Sequence, residues 1–229
     1  MNILAIDTSS KYFYLAIAED DKIKVSIRRP SGRKLSRMII PLIEKALKKA
    51  NLSLRDINYF ACGLGPGSFT GLRVGLAVIK GFAFSLNKPV VGIISLDCLA
   101  GSQSDFSGYV CPVVDARRSL VYSAIYRAKN GALKRKSRYL LVSPNELLAK
   151  FNNQDEVVFL GDGLSLYQDD IKKKLGLRAH FADDNFWYPD PRNLLRLARE
   201  KIKSKETADL DKLVPFYMYP KECQINKSL

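Results

Sequence analysis

The residues best suited to chemistry gather at three turns. The first follows the apolar run that opens the chain, MNILAIDTSS, where the carboxylate of Asp7 precedes the hydroxyls of Thr8, Ser9 and Ser10. These hydroxyls could donate to a phosphate, or they could cap their own turn, as short hydroxyl side chains do. The second turn is Gly63, Gly65, Pro66 and Gly67, set between the apolar run from Phe60 and a long helical pattern that continues to Asn87. A strand that enters a glycine-rich turn and feeds a helix start brings free N–H groups and the positive helix end to one point. An anion would sit over Ser68 to Gly71, unless the turn serves only to deliver a packing helix. The third is Asp115-Ala116-Arg117-Arg118, whose guanidinium groups could grip a phosphate or a partner's carboxylates bidentately, or form surface ion pairs.

Several chemistries are excluded. No Gly-Lys-Ser/Thr follows the glycine turn (Leu72 comes after Gly71), so it is no P-loop, and its G-x-G-x-G spacing is not the dinucleotide fingerprint. His180 is the one histidine, which argues against a histidine metal centre or a Ser-His-Asp machine, and it is expected to be structural or at the surface. Cys62, Cys98, Cys111 and Cys223 make no C-x-x-C pair and read as free thiols, mostly buried. No metal site is therefore expected.

These turns need elements to hold them. Residues 2–9, Tyr12 to Glu19 and Lys22 to Arg28 read as three hairpin-linked strands. Arg33 to Asn51 reads as an amphipathic helix kinked at Pro41. After the glycine turn and its helix, Val90 to Ile94 is a strand and Ser95 caps a short helix from Leu96 to Gln103. The polar stretch from Ser102 to Gly108 is the best boundary, giving domains 1–104 and 105–229. The second half then repeats the order of the first: strands at 109–115, 120–127 and 134–142, a helix capped by Ser143, a strand at 157–160, and a helix from Leu164. A last helix starts at Asp190-Pro191, and an aromatic extended segment runs from Val214.

The runs GLGPGSFTGLRVGLAVIKG, MNILAIDTSS and VVDARRSLVYSAIY together resemble the TsaB family, strongly over the first hundred residues and more weakly through Gly161-Asp162-Gly163. The resemblance implies an α/β fold of two ribonuclease-H-like subdomains, of the actin/sugar-kinase/Hsp70 superfamily, with mixed sheets flanked by helices. In working members the turn after strand one wraps nucleotide phosphates, so Asp7, Thr8, Ser9 and Ser68 become a candidate vestigial phosphate site. Asp7 and Asp115 would face each other across a cleft there, but bulky cations follow Asp115 where phosphates need glycines. The family resembles a degenerate form of TsaD, the enzyme that makes threonylcarbamoyladenosine on tRNA and that depends on a His-x-x-x-His metal pair. No such pair exists here, and Leu35-Ser36 stands where family members often carry His-Ser.

The implied function is a non-catalytic dimerisation and activation subunit, with TsaD and the ATPase TsaE as partners, tRNA reached through the complex, and a homodimer possible when alone. No cofactor of its own is expected; ATP or ADP belongs to the assembled complex. The expected seam uses the two long helices through Leu35, Met38, Ile39, Leu42, Gly71, Leu72, Gly75, Leu76 and Ile79. Gly71 and Gly75, one turn apart, would admit a partner helix closely. The rival reading is an enzyme in its own right, a phosphotransferase, an ATPase or a peptidase. A third is a tRNA-binding module, since a net charge of +14 favours polyanions unless it is generic solubilising charge. Residues 1–108 carry 15 cations against 8 anions and the remainder 22 against 15, so each half is near +7 and neither forms a basic tail. No membrane span is expected, because Arg73, Lys80 and Lys88 interrupt the apolar stretch. A cytoplasmic location is expected, because the opening residues do not read as a signal peptide.

Overall fold

The computed structural model describes residues 1–219; Cys223 and the end of the tail lie outside the described residues. The described residues divide into two compact units, Met1–Cys98 with Pro189–Phe216, and Leu99–Tyr188 with 217–219. The expected cut near residue 104 thus shifts slightly, and the last helix returns to the first unit. Its apolar face explains the return: Leu194, Leu195 and Ala198 are wholly buried among Ile3, Ala5, Ala16 and Ala18.

The first unit runs β1 (Asn2–Asp7), β2 (Tyr12–Glu19), β3 (Lys22–Pro30), α1 (Leu35–Ala50), β4 (Tyr59–Gly63), α2 (Phe69–Leu86), β5 (Val90–Ile93) and α3 (Ser95–Ala100). Its sheet order is β3-β2-β1-β4-β5. The hairpins pair antiparallel, and β1, β4 and β5 run parallel. Helices α1 and α2 cover one face, over Leu4, Ile6, Phe13, Leu15, Phe60 and Cys62. Both long helices stop at an asparagine in the left-handed region, Asn51 at φ 56° and Asn87 at φ 50°, a residue that tolerates that cap conformation.

The second unit runs β6 (Gly108–Arg117), β7 (Leu120–Ser123), β8 (Tyr126–Lys129), β9 (Ala132–Arg135), β10 (Leu140–Val142), α4 (Pro144–Leu148), β11 (Val157–Leu160), α5 (Leu164–Leu175) and β12 (Ala179–Phe181). The chain then closes with α6 (Pro191–Lys203), which belongs to the first unit. Setting β8 and β9 aside, the sheet order β10-β7-β6-β11-β12 repeats that of the first unit strand for strand. This is the duplicated ribonuclease-H-like architecture. Ser143 caps α4 as expected, in a reciprocal box with Glu146.

Three expectations are corrected. The single strand read over 120–127 breaks after Ser123, and the strand read over 134–142 breaks after Arg135. At the break, Ile125 N–H bonds Ser137 Oγ instead of a neighbouring strand. The residues between form an extra hairpin, β8–β9, which alternation alone could not separate from its neighbours. Finally, α2 is long and apolar enough by composition to cross a membrane, despite Arg73 and Lys80, but Leu72, Leu76, Ile79 and Ala83 bury one side of it against the sheet.

Candidate functional site

β1 is the middle strand of its sheet, so its end places Asp7 beside the end of β4 and the glycine turn. Asp7 is fully buried. Its Oδ1 accepts from the Ser9 amide at 2.7 Å and the Ser9 hydroxyl at 2.6 Å, and its Oδ2 accepts from the Ser95 hydroxyl at 2.7 Å. Ser95 Oγ in turn accepts the Gly65 amide at 3.1 Å, and the Ser95 amide returns a bond to the Gly65 carbonyl at 2.8 Å. Ser95 therefore ties the glycine turn to Asp7 and does not cap a helix with its side chain. Gly63 is required because a Cβ there would overlap the Asp7 carboxylate.

Burial pushes the Asp7 carboxyl above its ordinary range, although the bonds from Ser9 and Ser95 pull the other way. Over the window between its unfolded value, about 3.9, and its folded one, the native state holds a proton that the unfolded chain has released. Its contribution to stability is thus full below about pH 3.9 and declines as pH rises through the folded value. The unfolding free energy of the unaltered chain, less that of Asp7→Asn, should fall across this window in urea titrations. A difference that rises with pH would reverse the assignment.

Thr8 sits under the start of α2. A Cβ on Gly71 would overlap the Thr8 carbonyl oxygen, and one on Gly75 would overlap the Thr8 hydroxyl. Gly67, at φ +157°, is likewise pressed on the Ser9 carbonyl. Asp7, Thr8, Ser9 and Ser68 are thus brought together, but their donors are largely spent within the chain. The Ser9 amide and hydroxyl go to Asp7, the Ser68 amide goes to the Ser9 carbonyl at 2.7 Å, and Ser68 Oγ caps α2 by accepting from Gly71 at 3.2 Å. Thr8 Oγ1 is buried without a hydrogen bond and faces Gly75, not an opening. The turns form a packing joint between β1 and α2.

The same contacts correct the expected seam. Gly71 and Gly75 face this chain's own strand end, so their spacing says nothing about a partner. Leu35, Ile39, Leu72, Leu76 and Ile79 are buried in the unit's core. Met38 and Leu42 remain half-buried. The outward face of α2 is instead Val74, Ala77, Val78, Gly81 and Phe84, with Val74 and Val78 half-buried. Phe84 is 83% exposed, and a Cβ on Gly81 would meet open space. Arg73 was the missed signal, since Ala77, Gly81 and Phe84 follow it at helical spacing and so share its solvent side.

In the second unit, Arg117 and Arg118 form the β6–β7 turn with Ser119, all three at positive φ of 66°, 54° and 57°. Asp115 is engaged locally. Its Oδ1 accepts the Arg117 amide at 2.8 Å, and its Oδ2 lies 3.1 Å from Arg117 Nη1. Arg118 lies over the ring of Tyr219, whose hydroxyl donates to the Ala116 and Arg117 carbonyls at 2.8 and 3.2 Å. His180 pairs with Glu156 at 2.6 Å at the surface. Cys62, Cys98 and Cys111 are buried free thiols, and burial pushes the Cys111 thiol up to about 12. Among the described residues no group of three metal-binding side chains forms.

Residues 29–227 match the family model described as TsaD, tRNA N6-adenosine threonylcarbamoyltransferase. A protein of Bacillus subtilis, "tRNA threonylcarbamoyladenosine biosynthesis protein TsaB", is 32% identical over 95% of this chain and 94% of its own length. Among solved structures, a Pseudomonas aeruginosa protein described as similar to the peptidase YEAZ superposes with TM-score 0.83 at 23% identity, over 95% of this chain and 99% of its own. The activator of the 2-hydroxyisocaproyl-CoA dehydratase from Clostridium difficile matches at TM-score 0.50 and 11% identity, over 91% and 99%. At that distance only the fold is shared.

Proposed function

The chain belongs to the TsaB family of tRNA threonylcarbamoyladenosine biosynthesis proteins, and on that premise we propose that it is the non-catalytic subunit that docks TsaD through the outward face of α1 and α2. One observation carries the docking surface. Helix α2 is apolar on several sides, yet only a third of it is buried within the chain. An apolar face of that kind left in water favours a partner. The family model named for TsaD spans both helices of this chain, so a TsaD-type partner brings an equivalent pair, and like faces can meet about a local two-fold. A second copy of this chain is the competing occupant. TsaE and tRNA join at the level of the complex in this reading, any ATP or ADP is held there, and the assembly works in the cytoplasm, where tRNA is modified.

The non-catalytic assignment is supported by the spent donors around Asp7, by the local pairing of Asp115, and by a single histidine where a His-x-x-x-His pair would be needed. Sedimentation of the chain with purified TsaD should give a heterodimer, and the chain alone should turn over ATP far below about 1 per second. Turnover at that rate by the isolated chain, lost in Asp7→Ala, would replace the subunit reading with the phosphotransferase one.

A further inference from the structure

The densest run of cations in the second unit belongs to none of the turns described as candidate sites. Residues 127–138 carry Arg127, Lys129, Lys134, Arg135, Lys136 and Arg138 and no Asp or Glu, in a chain with 37 cations to 23 anions. They form most of the β8–β9 hairpin and the chain leaving it, and this hairpin is what the second unit adds to the five-strand order that the two units share. The repeated fold does not need it. One side of the ribbon supplies packing, with Tyr126 and Ala128 buried and Leu133 against them.

The other side supplies only charge. The register sets Arg127 directly opposite Lys134, with Lys129 two residues along on the same face, and all three are exposed. Like charges opposed across a ladder are destabilising, and none of the six cations forms an ion pair among the described residues. Asp105 lies against the hairpin turn at Gly131 but pairs with none of them. Arg127 stacks over Tyr109 at 4.7 Å and Arg135 over Tyr139 at 4.2 Å. Arg135 Nη1 also donates to the Ser137 carbonyl at 2.8 Å, so each stacked guanidinium is held in place with further N–H groups left over for phosphate.

We infer that this ribbon binds the phosphate backbone of a folded RNA. The choice of tRNA as that RNA rests on the proposed function; the ribbon itself does not involve the α1–α2 face. A membrane surface fits less well, because none of the large exposed apolar side chains falls within 127–138 to insert. An acidic protein fits less well because its interface would need an apolar centre, and the outward face offers only Arg127, Lys129, Ala132 and Lys134.

The test compares two triple variants of the full chain for binding to purified bulk tRNA between about 0.05 and 0.3 M salt. The first is Arg127→Gln, Lys129→Gln and Lys134→Gln. The second, Lys172→Gln, Lys173→Gln and Lys174→Gln, removes the same charge from exposed positions in the last turn of α5. Each lost phosphate contact flattens the plot of log affinity against log salt by about 0.7–0.9. The ribbon variant should therefore be shallower by about 2–3, and the α5 variant by less than one. Equal changes in the two variants, or none in either, overturn the proposal, as does tighter binding of polyglutamate or anionic vesicles than of tRNA by the unaltered chain. TsaD association of the ribbon variant should be unchanged; its loss would make the ribbon a protein interface. If the unaltered chain fails to bind TsaD but the slope shift persists, the subunit reading falls and the RNA site stands.

Discussion

Gly71→Ala should lower the unfolding free energy by about 3 kcal/mol, the upper end of the usual cost of forcing a larger side chain into a packed site. The added Cβ overlaps the Thr8 carbonyl oxygen, and that oxygen belongs to backbone pinned between β1 and the Ser9–Asp7 bonds. A backbone atom cannot rotate away as the tip of a side chain can. Gly81→Ala, ten residues along the same helix, should do the opposite. Its Cβ meets open space, so the substitution removes the entropy penalty of a mid-helix glycine and adds about 0.5–1 kcal/mol. Urea unfolding of the two variants decides the matter by sign. Equal losses would mean that α2 packs against something on both sides within the chain, and equal gains would release Gly71 from the joint at Thr8.

That contrast also shows what the sequence could disclose. The two apolar strand runs ending in Asp7 and Asp115, each followed by hairpins and a helix, were enough to read a duplicated α/β fold, because periodicity and turn residues are local signals. The glycines of α2 were a different case. Arg73 sets Gly81 on the solvent side, but nothing local says that Gly71 and Gly75 face Thr8, a contact formed across more than sixty residues of chain. Ser95 is another instance. Its position before a helical run reads as a cap, yet its hydroxyl goes to Asp7, 88 residues away, because the parallel strands β1 and β5 finish at the same end of one sheet. The β8–β9 ribbon escaped for a third reason. Its cations hid within a chain that is basic throughout, and only the register set Arg127 against Lys134 on an exposed face.

If α2 docks TsaD, Gly81→Leu should weaken that association tenfold to a hundredfold while leaving the isolated chain at least as stable. Gly81 lies on the outward face, one turn from Ala77 and between the half-buried Val78 and the exposed Phe84. In the free chain a leucine there meets only water, and it is a better helix former than glycine by somewhat under 1 kcal/mol. In a packed seam the same four heavy atoms enter a site with no room for them, at about 1–3 kcal/mol, and each 1.4 kcal/mol is roughly tenfold in affinity. Gly75→Leu cannot serve this purpose, because it injures the fold through Thr8 before any partner is present. Sedimentation with TsaD and denaturant unfolding on the same Gly81→Leu protein therefore read the two effects separately. Unchanged TsaD affinity with unchanged or raised stability would take this face out of the interface. Weaker self-association with TsaD affinity intact would assign the face to a second copy of the chain.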